Sequence, residues 1–92
     1  MLRIEEGKRA NGTQTFRLDG RLVREWVEVL RSSCEPALEA EGRLILDLAG
    51  VSFADHAGAR LLRQLEARAV TLLNCSPFLR EQIGPRDRAI TE

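Results

Sequence analysis

Residues 44–58 read Leu44-Ile45-Leu46-Asp47-Leu48-Ala49-Gly50-Val51-Ser52-Phe53-Ala54-Asp55-His56-Ala57-Gly58. From Leu44 to Ala49 the run is apolar on both faces except at Asp47, the composition of a central strand covered by helices on one or both sides. Downstream, Leu61, Leu62 and Leu65 recur among Arg60, Arg63, Gln64 and Arg68. This spacing predicts an amphipathic helix from about Ala57 with its arginines outward. The segment Ser52 to Gly58 is then a loop between strand and helix, and Asp55 is placed to accept hydrogen bonds from first-turn amides. Further on, Val70 to Leu73 reads as another apolar strand. Ser76-Pro77 is an N-cap and first-turn pair for a short helix with Phe78, Leu79 and Ile83 as its apolar stripe, closed by Gly84-Pro85.

Upstream, Leu2 and Ile4 alternate with Arg3 and Glu5 as in a half-buried strand. Asn11-Gly12 supplies the two positive-φ residues of a tight hairpin, and Phe16 and Leu18 alternate with Thr15 and Arg17 beyond it. The first two strands are therefore expected to be antiparallel, with Asp19-Gly20 breaking the second. Val23, Trp26, Val27, Leu30 and Cys34 form one apolar helical face, with Trp26 packing into the core. Arg24 with Glu28 and Arg31 with Glu35 form solvated pairs four residues apart on the outer face. Pro36 and Gly42 interrupt the helical pattern before the central strand. Right-handed crossovers would make the later strands parallel. The fold class is thus α/β: a mixed sheet of about four strands, the first hairpin antiparallel and the rest parallel, with about three helices in the order β-β-α-β-α-β-α. Residues 1–85 form a single domain and 86–92 a short tail.

Composition narrows the function. The chain has 92 residues, 43% hydrophobic and 30% charged, too few for two separately folded domains. Fourteen basic residues balance fourteen acidic ones, so no basic stripe points to nucleic acid. No apolar stretch approaches the length of about 20 residues needed to cross a bilayer, so no direct membrane insertion is expected. Met1-Leu2-Arg3-Ile4-Glu5-Glu6 turns acidic where a signal peptide needs an apolar core, and a cytoplasmic location is the expectation. Cys34 and Cys75 lie far apart without a Cys-x-x-Cys motif and read as buried thiols rather than a disulfide or a metal cluster.

The stretch from Leu44 to Gly58 resembles the signature of the STAS family, the sulfate-transporter and anti-sigma-factor-antagonist domain. That pattern is an apolar strand with an internal Asp, a Gly-Val-x-Phe-like connection, and Asp-Ser-Ser/Thr-Gly opening a helix rich in leucine. Asp47, Gly50-Val51, Phe53, Asp55, Gly58 and Leu61-Leu62 stand at matching places. The strand order resembles the family from about residue 2 to 83, whereas the specific motif spans about 44 to 62. The resemblance implies a small switch module in which a partner kinase phosphorylates the Ser or Thr just before the motif glycine and thereby weakens binding. A phosphate there adds up to about two negative charges and several strong acceptors at a helix N-terminus. This chain has Ala57 at that position and His56 before it, so neither offers a hydroxyl. Ser52 does not match the acceptor position.

Several readings of function follow. The first is a non-enzymatic protein-interaction module, an anti-sigma-factor-antagonist-like regulator in a partner-switching pathway of bacterial transcription control. It would dock an anti-sigma factor or kinase-like regulator through Ser52, Phe53, Asp55, His56, Ala57, Gly58 and Arg60, with Ala57 making it permanently binding-competent. The second is an accessory subunit of a membrane lipid-transport ATPase, and another is self-association into a scaffold. Catalysis finds no support in a phosphate-binding loop, paired carboxylates or a nucleophile beside His56, the only histidine. No cofactor and no metal are expected. Structural roles compete at each residue: Asp55 as a helix cap, Phe53 as an inward anchor, Gly58 as a close-packing position, and Arg60 and Arg63 as a solvated face. Asp47 is expected to be hydrogen-bonded to loop amides, because an unpaired buried carboxylate is costly.

Overall fold

A computed structural model of the chain describes residues 1–7, 9–40 and 42–84. The elements are β1 (Leu2–Glu6), β2 (Thr13–Leu22), α1 (Glu25–Glu39), β3 (Arg43–Ala54), α2 (His56–Ala67), β4 (Thr71–Leu73) and α3 (Pro77–Ile83). The strands lie side by side in chain order, β1 antiparallel to β2 and the other neighbours parallel. This is the mixed α/β sheet and the element order expected from the sequence.

The hairpin turns where Asn11 and Gly12 take φ of 54° and 77°, and Ala10 and Thr13 exchange both backbone hydrogen bonds at 2.9 Å. Two positive-φ residues match the right-handed twist of the flanking strands. Asp19-Gly20 does not end β2 as expected. The strand runs on to Leu22, because Gly20 at φ 113° absorbs a bend inside it, with register shifts on either side. A side chain on Gly20 would run into the Met1 carbonyl, so the glycine admits the start of β1 rather than breaking β2.

β3 is also longer than expected. The residues Ser52, Phe53 and Ala54, read from sequence as loop, are its last turns of pleat, with Arg21 opposite Phe53 and Leu22 opposite Ala54. Hydrogen bonding to β2 keeps them extended past the point where the alternating apolar pattern fades. Leu44, Leu46 and Leu48 are buried with Phe16 and Leu18, and with Leu30, Leu61, Leu62, Leu65, Leu79 and Ile83 of the three helices. The opposite face carries Arg17, Asp47 and Leu73 in one cross-strand row and remains open. The helices therefore cover one face only.

Within α1, Pro36 sits inside the helix instead of interrupting it. The ring leaves the Ser32 carbonyl without its helical donor, but Ser32 is exposed and water can serve it, while Ala40 N–H still bonds Pro36 O at 3.1 Å. The outer-face pairs differ as well. Arg31 bonds Glu28 at 2.9 Å, and Glu35 turns to Arg68 at the end of α2, 3.0 Å away. Arg24 precedes the helix and so cannot form the expected pair with Glu28. Trp26 is half-buried against the core. In α3, Ser76 Oγ accepts from Leu79 N–H at 3.0 Å with Pro77 at the first position, but Phe78 points outward at 58% exposure. A helix this short buries only one side, which Leu79 and Ile83 fill. The expected tail, 86–92, lies outside the described residues.

Candidate functional site

Because β2 and β3 are parallel and each leads into a helix, their C-terminal ends and the N-terminal ends of α1 and α2 meet at one edge of the sheet. Asp55, the single residue between β3 and α2, ties these four ends together. Its backbone N–H bonds Leu22 O at 3.1 Å. Its carboxylate Oδ1 accepts from Gly58 N–H at 2.8 Å, capping α2, and Oδ2 accepts from Arg24 N–H at 3.0 Å, at the start of α1. The Arg24 amide, then that of Gly58, holds the Asp55 carboxyl below the usual carboxylate range. The capping role expected from sequence is present, and the bond to α1 is an addition that sequence spacing could not show.

Gly58 is buried where α2 crosses the end of β2. A Cβ there would lie 2.3 Å from Leu22 O and 3.0 Å from Leu22 Cγ, so the motif glycine allows the helix to approach the strand backbone. His56, Ala57 and Arg60 lie exposed on α2. With Arg31 of α1, Leu61 and Gln64 they line a groove between the two helices. Ser52 and Phe53 are not part of that groove. Ser52 is exposed at a bulge of β3, its hydroxyl donating to Gly20 O at 3.4 Å, and Phe53 stands beside it at 38% exposure. Arg63, exposed on α2, donates Nε–H to Ile83 O at 2.7 Å and so binds α3 instead of facing only solvent.

Arg24 is a site residue that sequence reasoning treated only as a surface charge. At φ 53° and ψ −128° it holds the first central position of a reverse turn in which Trp26 N–H bonds Val23 O at 3.0 Å, a conformation suited to glycine. No sequence signal marks an arginine for that conformation. Gln82 of α3 was missed for the same reason: its amide group bonds both Ala54 N–H, at 3.3 Å, and Ala54 O, at 2.8 Å, fastening the end of β3.

Asp47 lies on the open sheet face, only half-buried, rather than inside a covered strand. Its Oδ1 accepts from Asn74 Nδ2 at 2.9 Å and Ala49 N–H at 3.0 Å, and these bonds, Asn74's the larger, hold its carboxyl below the usual range. Cys34 is buried, which pushes its thiol up to about 12. Cys75 is half-buried with its pKa also raised by burial, and both cysteines are free. Among the described residues no three His, Cys, Asp or Glu side chains are grouped to hold a metal ion. No helix among them is long and apolar enough to cross a membrane.

A family model described as STAS domain matches residues 6–83. The anti-sigma factor antagonist SpoIIAA in its unphosphorylated form shares 30% identity over 97% of this chain and 90% of its own, with a TM-score of 0.67. SpoIIAA in its phosphorylated form, described as a Bacillus cell fate determinant, shares 27% identity over 86% of this chain and 78% of its own, with a TM-score of 0.63. A structure of Mglu shares the fold alone, at 23% identity over 76% of this chain and 18% of its own, with a TM-score of 0.56. No curated protein sequence matches the chain.

Proposed function

The chain belongs to the STAS domain family, and on that basis we propose that it is a non-enzymatic, anti-sigma-factor-antagonist-like regulator that docks a kinase-like partner at the α2 edge of the sheet. The similarity to SpoIIAA over nearly the whole chain supports that general role. The observation that carries the specific reading is Ala57: exposed on the first turn of α2, directly before the buried Gly58. In the family pattern this is the place of the phosphorylated hydroxyl, and here the partner's kinase has nothing to modify. The regulator then stays in its binding-competent state, and release comes from competition or turnover instead of phosphorylation.

Paired baits test this. Wild-type protein and Ala57→Glu are used to capture partners from source-cell extract, and the retained proteins are identified by mass spectrometry. A negative side chain on the first turn suits the helix dipole, and an unchanged thermal midpoint for Ala57→Glu shows that lost capture does not come from unfolding. Recovery of a kinase-like or anti-sigma protein by wild type alone is the expected result. Equal recovery by both baits removes the α2 edge from the interface, and recovery of a transporter ATPase moves the protein to lipid transport. A third variant, Ala57→Ser, is expected to become a phosphate acceptor when incubated with the captured kinase and ATP.

A further inference from the structure

The sheet ends in two edge strands that differ. β4 is only three residues long, and a strand that short offers little to pair with. β1 has five residues, contains no proline and pairs with β2 without a register shift. α1 packs over β2 and β3, and no described element lies beyond β1. Gly7 N–H bonds Thr15 O at 2.7 Å, and Arg21 N–H bonds Met1 O at 3.0 Å. With Arg3 opposite Asp19 and Glu5 opposite Arg17, these two bonds fix the alternation: residues 1, 3, 5 and 7 turn their backbone groups toward β2. The N–H and C=O of Leu2, Ile4 and Glu6 therefore point away from the sheet. Leu2 and Ile4 turn their side chains to the core, which places Arg3 and Glu5 on the open face. Across the strands the charges there alternate in sign. One row runs Asp47, Arg17, Glu5, and the neighbouring row runs Asp19, Arg3, so the two rows reach the edge with opposite charges. Neither Arg3 nor Glu5 forms an ion pair among the described residues.

We propose that β1 pairs antiparallel with β1 of a second copy of this chain, about a twofold axis through Ile4. On that axis Ile4 exchanges both backbone hydrogen bonds with the partner's Ile4, while Leu2 and Glu6 exchange theirs with the partner's Glu6 and the partner's Leu2. These are the groups that β2 leaves unused. Ile4, half-buried at the margin of the core, meets its counterpart on the helix-covered face. On the open face Arg3 stands opposite the partner's Glu5, and Glu5 opposite the partner's Arg3, at the non-hydrogen-bonded positions where facing side chains come closest. The alternation of sign then continues through the junction, with Asp47, Arg17 and Glu5 followed by the partner's Arg3 and the partner's Asp19. Neighbouring registers lose this match. Sliding one copy by two residues, the smallest step that keeps the outward backbone groups in apposition, sets Arg3 against Arg3 in one direction and Glu5 against Glu5 in the other. The strand is therefore complementary to itself in one register. A short edge of this kind buries well below the area of about 1,600 Å² of an ordinary interface, so the dimer is weak, forming at about 0.1 mM. The α2 edge lies toward β3, two strands away, and stays open in the pair, so the inference is independent of the docking reading.

Sedimentation equilibrium from about 0.01 to about 1 mM protein reads the association, and the mass is expected to rise from one chain toward two across that range. Glu5→Arg and Arg3→Glu each set like charges against like across the junction, and each should dimerise about tenfold more weakly than wild type. Mixed in equal amounts, the two variants carry complementary strands, and association should return. Both substitutions also oppose like charges within the β1–β2 pair, so thermal midpoints are measured alongside. Amide exchange followed by NMR on wild-type protein supplies a readout that needs no variant. The outward Ile4 amide is expected to exchange about threefold or more slowly at about 1 mM than at about 0.05 mM, whereas the Arg3 and Glu5 amides, held by β2, change little. A single-chain mass at every concentration overturns the proposal. So does a dimer in which the Ile4 amide gains no protection, a dimer that Glu5→Arg leaves unaltered, or a mixture of the two folded variants that associates no better than its components.

Discussion

At Gly58 two effects of adding a methyl group oppose each other. Alanine raises helix propensity by up to about 1 kcal/mol. Its Cβ, however, would sit 2.3 Å from the Leu22 carbonyl, a backbone atom that cannot rotate away, and such overpacking typically costs about 1–3 kcal/mol. Gly58→Ala is therefore expected to lower the urea midpoint. Asp55 is a second residue whose loss spreads beyond itself. Asp55→Ala removes the acceptor of both the Gly58 and the Arg24 amides, and a fall of about 1–2 kcal/mol in unfolding free energy is expected. Because the carboxyls of Asp55 and Asp47 lie below their ordinary values in the folded protein, their contribution is present above the unfolded value near 3.9 and disappears as pH falls through the folded ones. Stability measured from about pH 6 down to about pH 2 should therefore decline in the acid range. Asp55→Asn or Asp47→Asn should flatten that decline.

Among the elements, α1 and α2 show why counting ion pairs misleads. Arg31–Glu28 on α1 is exposed on both sides, and Arg31→Ala should change stability by no more than about 0.5 kcal/mol. Arg80–Glu66 joins α3 to α2 with the Glu66 side chain only 8% exposed, so truncating Arg80 removes two charge-assisted hydrogen bonds from a largely buried carboxylate. Arg80→Ala is expected to cost about 1–3 kcal/mol in the same denaturation experiment. Pro36 offers a gain instead. Restoring the N–H toward Ser32 O in Pro36→Ala recovers helix propensity of about 3 kcal/mol, partly offset by about 1 kcal/mol of extra freedom in the unfolded chain. A rise in thermal midpoint is expected, and an unchanged or lowered one would mean that Pro36 stabilises α1 through contacts of its ring.

For the molecule as a whole, Cys34 reports the integrity of the core. It is fully buried in the common cluster of sheet and helices, with its thiol pushed up to about 12. A thiol reagent at pH 8 is expected to modify Cys75 first and Cys34 only as fast as the fold opens, so that denaturant accelerates the second reaction alone. Equal rates in native buffer would show that the core opens locally around α1. The order of elements, the antiparallel hairpin, the parallel later strands and the Asp55 cap were legible in the sequence, because alternation, helical spacing, Asn-Gly and Asp before a helix are local signals fixed by backbone geometry. The extension of β2 through Asp19-Gly20, the inclusion of Ser52 to Ala54 in β3, and the pairing of Glu35 with Arg68 were not legible. Each depends on what a neighbouring strand or helix supplies across tens of residues. The site divides in the same way. Sequence marked His56, Ala57, Gly58 and Arg60 as candidate partner-binding residues within one short stretch. Only tertiary packing set Arg24 and Arg31 beside them, separated Ser52 and Phe53 from the groove, and buried Gly58, because the parallel alignment of β2 and β3 is what brings the starts of α1 and α2 together.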